Sequence, residues 1–342
     1  MIWNLSNIGC CAAISQAIKG YVNINRAYVV NSGSNNVSVI NTLNNTVVGS
    51  PIAVGNSPQQ ATITPNNSTV YVTNNSSNTV SVIDTSLNTV IKTINVSTSP
   101  MSIICNNAGT YVYVITPAGS INIIDTSSNT VINTITLGAG YNLQRAVVAL
   151  NDSKLYIADN NSSGVVVVNL SNSSHYYIDF GFGFTDGVIQ STGIAISYDG
   201  TKIYVIGAAD SQYWQDYIGG WTVMNTATEI FTNYFLGGYE GALAGGNEAT
   251  YTGDIIVDHT NTNAYYNTGG SYTIIGELVL ATNALSFAPS AGYATGLCIN
   301  ATDTTVYTSQ NNGTAALLNI SSNTYAYING LGSAPSCIIL SK

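Results

Sequence analysis

The chain has 342 residues, 45% of them hydrophobic and only 7% charged, with a formal net charge of −9. The apolar share is enough for a substantial core, but the charged share is far below the ~25% of ordinary soluble domains, so Asn, Ser, Thr and Gly must carry solubility. The few Lys and Arg form no basic stripe, which argues against nucleic acid and anionic lipid as partners, and no run of about 18 apolar residues marks a transmembrane helix.

At the start of the chain, Met1 to Asn7 has neither a basic region nor a long apolar region, so it is not expected to act as a signal peptide. Residues 1–20 are read as an N-terminal arm or docking extension. Within it, Ile8 to Lys19 is either a short amphipathic helix or an arm lying on a neighbour. Residues 21–342 form the main domain. Acidity grows along it: after Lys202 the only basic residue is Lys342, against nine acids. Cys105, Cys298 and Cys337 each fall in a short apolar run and are expected to be buried small hydrophobes. The vicinal Cys10 and Cys11 are left open, and no Cys/His metal spacing occurs.

From residue 26 onward a V-Y-V-like strand recurs. Its tyrosines are Tyr28, Tyr71, Tyr113, Tyr156, Tyr204, Tyr265 and Tyr307, at intervals of 43, 42, 43, 48, 61 and 42 residues. A period near 42 made of short alternating strands predicts an all-β, seven-bladed propeller with four antiparallel strands per blade. In the second repeat, strand A is expected at Gln60 to Thr64, B at Thr69 to Asn74, C at Thr79 to Asp84 and D at Thr89 to Asn95. Asn41, Asp84, Asp125 and Asn225 all end a strand C and are read as turn formers. The first repeat has strands B, C and D over about 26–54 but no strand A. Ala334 to Ser341 matches Ser99 to Cys105, a strand A, so the last strand is expected to complete the first blade and remove an open edge.

The literal Tyr71-Val72-Thr73-Asn74, with the surrounding NNSSNTVSVIDTSLNTVIKTI, resembles the YVTN-repeat β-propeller family, which includes archaeal surface-layer propellers. The resemblance is specific over repeats one to three and looser over four to seven. It implies the fold and brings no shared catalytic residues. Seven-bladed lactonases are similar too, but no cluster here maps onto their site.

Function is sought where the period breaks. The excess residues form enlarged loops at 181–190, 208–220 and 238–253. The first and third are D–A connections and the second is a B–C connection, so all three emerge on one face over adjacent blades. They carry Phe184, Asp186, Tyr213, Trp214, Asp216, Tyr217, Tyr239, Glu240 and Tyr251. Aromatic planes beside hydrogen-bonding carboxylates suit a glycan or protein ligand. The alternative is that these loops only pack on each other or on a neighbouring subunit. Asp210, Asp216 and Glu240 lack the spacing of a calcium loop. No GxSxG, HExxH or phosphate loop occurs. His175 is expected exposed, and His259 hydrogen-bonded and structural rather than a general base. Among the sequons, Asn67, Asn75, Asn161, Asn172 and Asn312 are candidate glycosylation sites.

These observations predict a non-enzymatic, extracellular-facing display or recognition module without cofactor or metal. Its residue 1–20 arm would meet other structural proteins of a particle or surface layer. A virion component, made in the cytoplasm and later exposed, reconciles the surface-type composition with the absent leader. A cell-surface or surface-layer propeller and a lactonase-like hydrolase are the rivals.

Overall fold

The structure is a computed structural model. It describes residues 25–181, 183–184, 187–188, 190–210, 217–236, 254–267, 274–282, 284–289, 294–310 and 312–341. The arm at 1–20, with Cys10 and Cys11, lies outside them.

Seven four-stranded antiparallel blades make up the fold, and the described residues contain no helix. Strands are given from A, innermost, to D, outermost. Blade 2 is Pro58–Ile63, Thr69–Asn74, Thr79–Asp84 and Thr89–Asn95. Blade 3 is Ser102–Cys105, Tyr111–Ile115, Ser120–Asp125 and Thr130–Thr136. Blade 4 is Leu143–Val148, Lys154–Asp159, Gly164–Asn169 and His175–Asp179. Blade 5 is Gln190–Ile196, Lys202–Asp210, Tyr217–Asn225 and Phe231–Leu236. Blade 6 is Ile255–Val257, Asn263–Asn267, Ile274–Val279 and Ala284–Pro289. Blade 7 is Ala294–Ile299, Thr305–Gln310, Thr314–Asn319 and Thr324–Ile328.

Blade 1 joins distant parts of the chain. Pro335–Leu340 is its strand A and pairs with Arg26–Asn31 in the register Tyr28 to Ile339 and Val29 to Ile338. Strand C is Asn36–Asn41. Strand D is split into Thr46–Val47 and Ile52–Ala53, which pair with opposite ends of strand C. The break falls at Gly49, with φ 66°, and at Pro51, which has no N–H to give a ladder.

Strands B and C are buried on both faces because each blade packs between two others, and β-branched residues fill that space well. Val29 and Val30 of blade 1, Ala61 of blade 2 and Leu297 of blade 7 belong to one buried cluster. The repeat tyrosine locks neighbouring blades together. Tyr28 donates its hydroxyl to Asn88 Oδ1 at 3.2 Å, Tyr71 to Asn129 Oδ1 at 2.5 Å and Tyr307 to Asn45 Oδ1 at 3.4 Å. Each asparagine sits in the C–D turn of the next blade, with φ between 52° and 56°. Asparagine tolerates that left-handed conformation better than most residues, so tyrosine and turn asparagine recur together. Burial pushes the Tyr71 hydroxyl above its ordinary pKa and keeps it a donor.

The expected turn formers act as such. Asp84 Oδ1 accepts from Ser86 N and Leu87 N, and Asn225 Oδ1 from Ala227 N and Thr228 N. Hydrogen bonding from the Ser86 hydroxyl holds the Asp84 carboxyl below its usual range. Cys105, Cys298 and Cys337 are buried thiols.

Candidate functional site

In antiparallel blades, D–A and B–C connections share one face and A–B and C–D connections the other. The first face is enlarged around blade 5. Its strands B and C run nine residues each, against six in blade 2, and pair out to Asp210 and Tyr217. This corrects the expected loop at 208–220: residues 208–210 and 217–220 continue the ladder. Repeat length counts the extra residues but does not distinguish loop from strand. The 181–190 insertion likewise contains a hairpin, Gly183–Phe184 paired with Gly187–Val188, and ends in Gln190 of strand A. Phe184 and Tyr217 therefore sit on strands. Asp186, Tyr213, Trp214, Asp216, Tyr239, Glu240, Tyr251 and the 238–253 insertion lie outside the described residues.

The inner strands carry the chemistry at this face. In blade 2, Pro58 pairs with Asn74 and Ala61 with Val72, so Gln59 and Gln60 together oppose Thr73. This is a β-bulge, a feature that re-aims side chains. Register breaks recur at the same level at Gln144–Arg145, Thr192, Thr295 and Ser336. Aligned by pairing opposite the second residue after each repeat tyrosine, one column contains Cys337, Gln60, Ser102, Arg145, Gly193, Asp254 and Gly296 in blades 1 to 7.

Two charged residues in that column meet. Arg145 Nε lies 3.9 Å from Asp254 Oδ1, although their blades are not adjacent. The intervening blade 5 has Gly193 in the column, with no side chain to obstruct the path. Asp254 is fully buried. It also keeps the column's blade-to-blade bond: Asp254 Oδ2 accepts from Leu297 N at 3.4 Å, as Gln60 Oε1 accepts from Ile103 N at 2.8 Å. Its backbone N donates to Asn267 Oδ1. Asp254 Oδ1 has no hydrogen-bond partner. Burial raises the Asp254 carboxyl pKa, opposed by the Arg145 charge. Neither residue was among the sequence candidates. The signal was available: aligning the seven repeats puts Arg145 and Asp254 in a column otherwise neutral.

The histidines sit elsewhere. His175 is exposed at the start of an outer strand. His259 lies at the A–B end of blade 6, about 16 Å of extended chain from Asp254, so the two do not combine. Its backbone N donates to Asp303 Oδ2 at 3.1 Å, its Nδ1 bonds Asp303 Oδ1, and its ring packs edge-on to Tyr198 with centroids 5.2 Å apart. Asn107 N similarly donates to Asp152 Oδ1 at 2.8 Å, blade to blade. Among the described residues no three His, Cys, Asp or Glu side chains could hold a metal, and no helix is long and apolar enough to cross a membrane.

Of the sequons, Asn161, Asn172 and Asn312 are exposed and Asn75 is half-buried. Asn67 is buried, tucked into the A–B turn with φ 59°. The same turn geometry that favours asparagine removes Asn67 from the accessible set.

The family model described as YNCE-like beta-propeller matches residues 3–181. No curated protein matches the chain. Several solved structures are similar. Hydrazine synthase from Kuenenia stuttgartiensis is 16% identical, with TM-score 0.70, covering 92% of this chain and 99% of that one. A functionally unknown protein from Desulfotomaculum acetoxidans DSM 771 is 18% identical, with TM-score 0.69, covering 93% and 100%. The dihydro-heme d1 dehydrogenase NirN is 12% identical, with TM-score 0.62, covering 95% and 68%. At such identities the likeness concerns the fold alone.

Proposed function

This chain belongs to the YNCE-like β-propeller family, and from that premise we propose that it is a non-enzymatic recognition module, displayed outside a cell, that binds a glycan or protein on the D–A and B–C face. The observation behind this reading is the enlargement of blade 5 on that face, with strands B and C of nine residues rising beside an inserted hairpin. Blades built to one pattern form a rigid base, and the departures from it gather where ligands are usually met. The YVTN-like repeats and the Asn/Ser/Thr-rich composition favour a surface setting. A virion component docked through residues 1–20 is our first choice and a surface-layer propeller the second.

A glycan array probed with the whole chain tests this. Binding should weaken in Tyr213→Ala and Trp214→Ala. No ligand on glycan and protein arrays would sink the reading. A rival, a lactonase-like hydrolase, draws on buried Asp254 beside Arg145, since perturbed carboxylates gather at reactive sites. Lactone turnover lost in Asp254→Asn would replace the binding reading with that one.

A further inference from the structure

We propose that Asn329 is a site of spontaneous covalent modification: its side-chain amide is converted to aspartate and isoaspartate by attack of the Gly330 backbone nitrogen, while the fold protects the other Asn-Gly pair, Asn312-Gly313. This goes beyond the recognition reading and does not rest on it. The sequence contains these two Asn-Gly pairs and no others. A glycine after asparagine leaves the attacking nitrogen uncrowded and its backbone free to turn. By sequence alone the two pairs are therefore equivalent.

The structure separates them. Asn329-Gly330 begins the D–A connection that follows Thr324–Ile328 and leads to the closing strand Pro335–Leu340. Both residues are exposed, and among the described residues neither the Asn329 side chain nor Gly330 N has a hydrogen-bond partner. A Cβ placed on Gly330 would meet nothing within 4 Å, so a ring formed there has room. At the other pair, Gly313 N donates to Gln310 O at 3.2 Å. Asn312 Oδ1 accepts from Thr314 Oγ1 at 2.6 Å and from Thr314 N at 3.2 Å. That turn occupies both reacting groups, and attack would first have to break its bonds.

At Asn329 the Gly330 nitrogen gives its proton to solvent base and attacks Cγ. An N–Cγ bond forms, the Cγ–Nδ2 bond breaks, and ammonia leaves behind a succinimide ring. Water then opens the ring at either carbonyl. Cleavage of N–Cγ gives aspartate, and cleavage of the bond to the main-chain carbon gives isoaspartate, which carries one more methylene in the backbone. Either product adds a negative charge to the D–A and B–C face. The closing strand keeps its own anchors, since Ser333 N donates to Ser34 Oγ at 3.0 Å and Ser32 N to Ala334 O at 2.9 Å.

The test ages the freshly purified full chain in mildly alkaline buffer, digests it at acid pH and maps the peptides by mass spectrometry. Isoaspartate is detected by methyl transfer from a protein-isoaspartate methyltransferase. The Asn329 peptide should gain the mass of an amide-to-acid exchange and accept methyl groups, and the Asn312 peptide should do neither. In denaturant, where the turn at Asn312 is lost, both peptides should convert. Asn329→Gln, whose longer side chain would have to close a larger ring, should lose the product in a chain that unfolds at the parent's denaturant midpoint. The proposal is overturned by no product at Asn329 in the folded chain, by equal conversion of both peptides there, by a contrast that persists in denaturant, or by product that survives in Asn329→Gln.

Discussion

Blades 2 and 6 make the same bond to their neighbours with different chemistry. Gln60 in blade 2 and Asp254 in blade 6 each accept a backbone N–H from the following blade, from Ile103 and Leu297. An amide suffices for that bond, so the carboxylate at Asp254 adds a desolvation cost without a structural need. Two places before blade 6 the column holds Arg145; two places before blade 2 it holds Gly296. The scaffold is thus neutral by default, and charge enters its inner ring as a matched pair.

Substitutions at four positions sharpen that contrast, from the position with the largest effect to the one with the smallest. Tyr71→Ala in blade 2 removes a fully buried ring and its bond to Asn129 and should cost about 4 kcal/mol by denaturant unfolding. Tyr71→Phe should cost only about 1. Arg145→Met leaves the buried Asp254 charge unopposed and should cost about 3 kcal/mol at neutral pH. Gln60→Glu brings a carboxylate into blade 2 without its cation and should cost about 2 kcal/mol at neutral pH; no change would break the contrast. Glu229→Gln should cost about 1 kcal/mol, because the bond from Lys154 to Glu229, at 2.6 Å, is only half-buried and solvent still screens it.

The pH dependence follows from the raised Asp254 pKa. The folded state holds that proton more tightly than the unfolded chain. The resulting stabilisation is complete below the ordinary carboxylate value of about 4 and is lost as pH rises through the folded value. Asp254→Asn should remove this component, and Arg145→Met should enlarge it by raising the folded value further. Melting temperature measured from acid to neutral pH checks both.

Much of this architecture was legible in the sequence, because the repeat carries its own packing instructions. Thr69–Asn74 and Thr79–Asp84 follow from alternation with a turn between them, and Asp84 was recognisable as a turn former by its place at a strand end. The Tyr71 bond to Asn129 was hidden, although both residues belong to the repeat, because periodicity does not say which blade a side chain faces. The pairing of Arg145 with Asp254 was harder still, since they are separated by more than two repeats and meet only through the ring's curvature. The insertion at 208–220 was located but misassigned, because hairpin strands lengthen without any change in composition.

Blade 1 has a consequence for the order of folding. Its row Ala27 to Val30 is completely buried in the finished protein, and the strand that pairs with it, Pro335–Leu340, is made some 300 residues later. During synthesis that row stays an open edge while six later blades emerge from the ribosome. Closing so long a loop is slow, and an unpaired edge invites other chains meanwhile. The nascent chain is therefore most exposed to misassociation, and most in need of a chaperone, just before its last strand arrives.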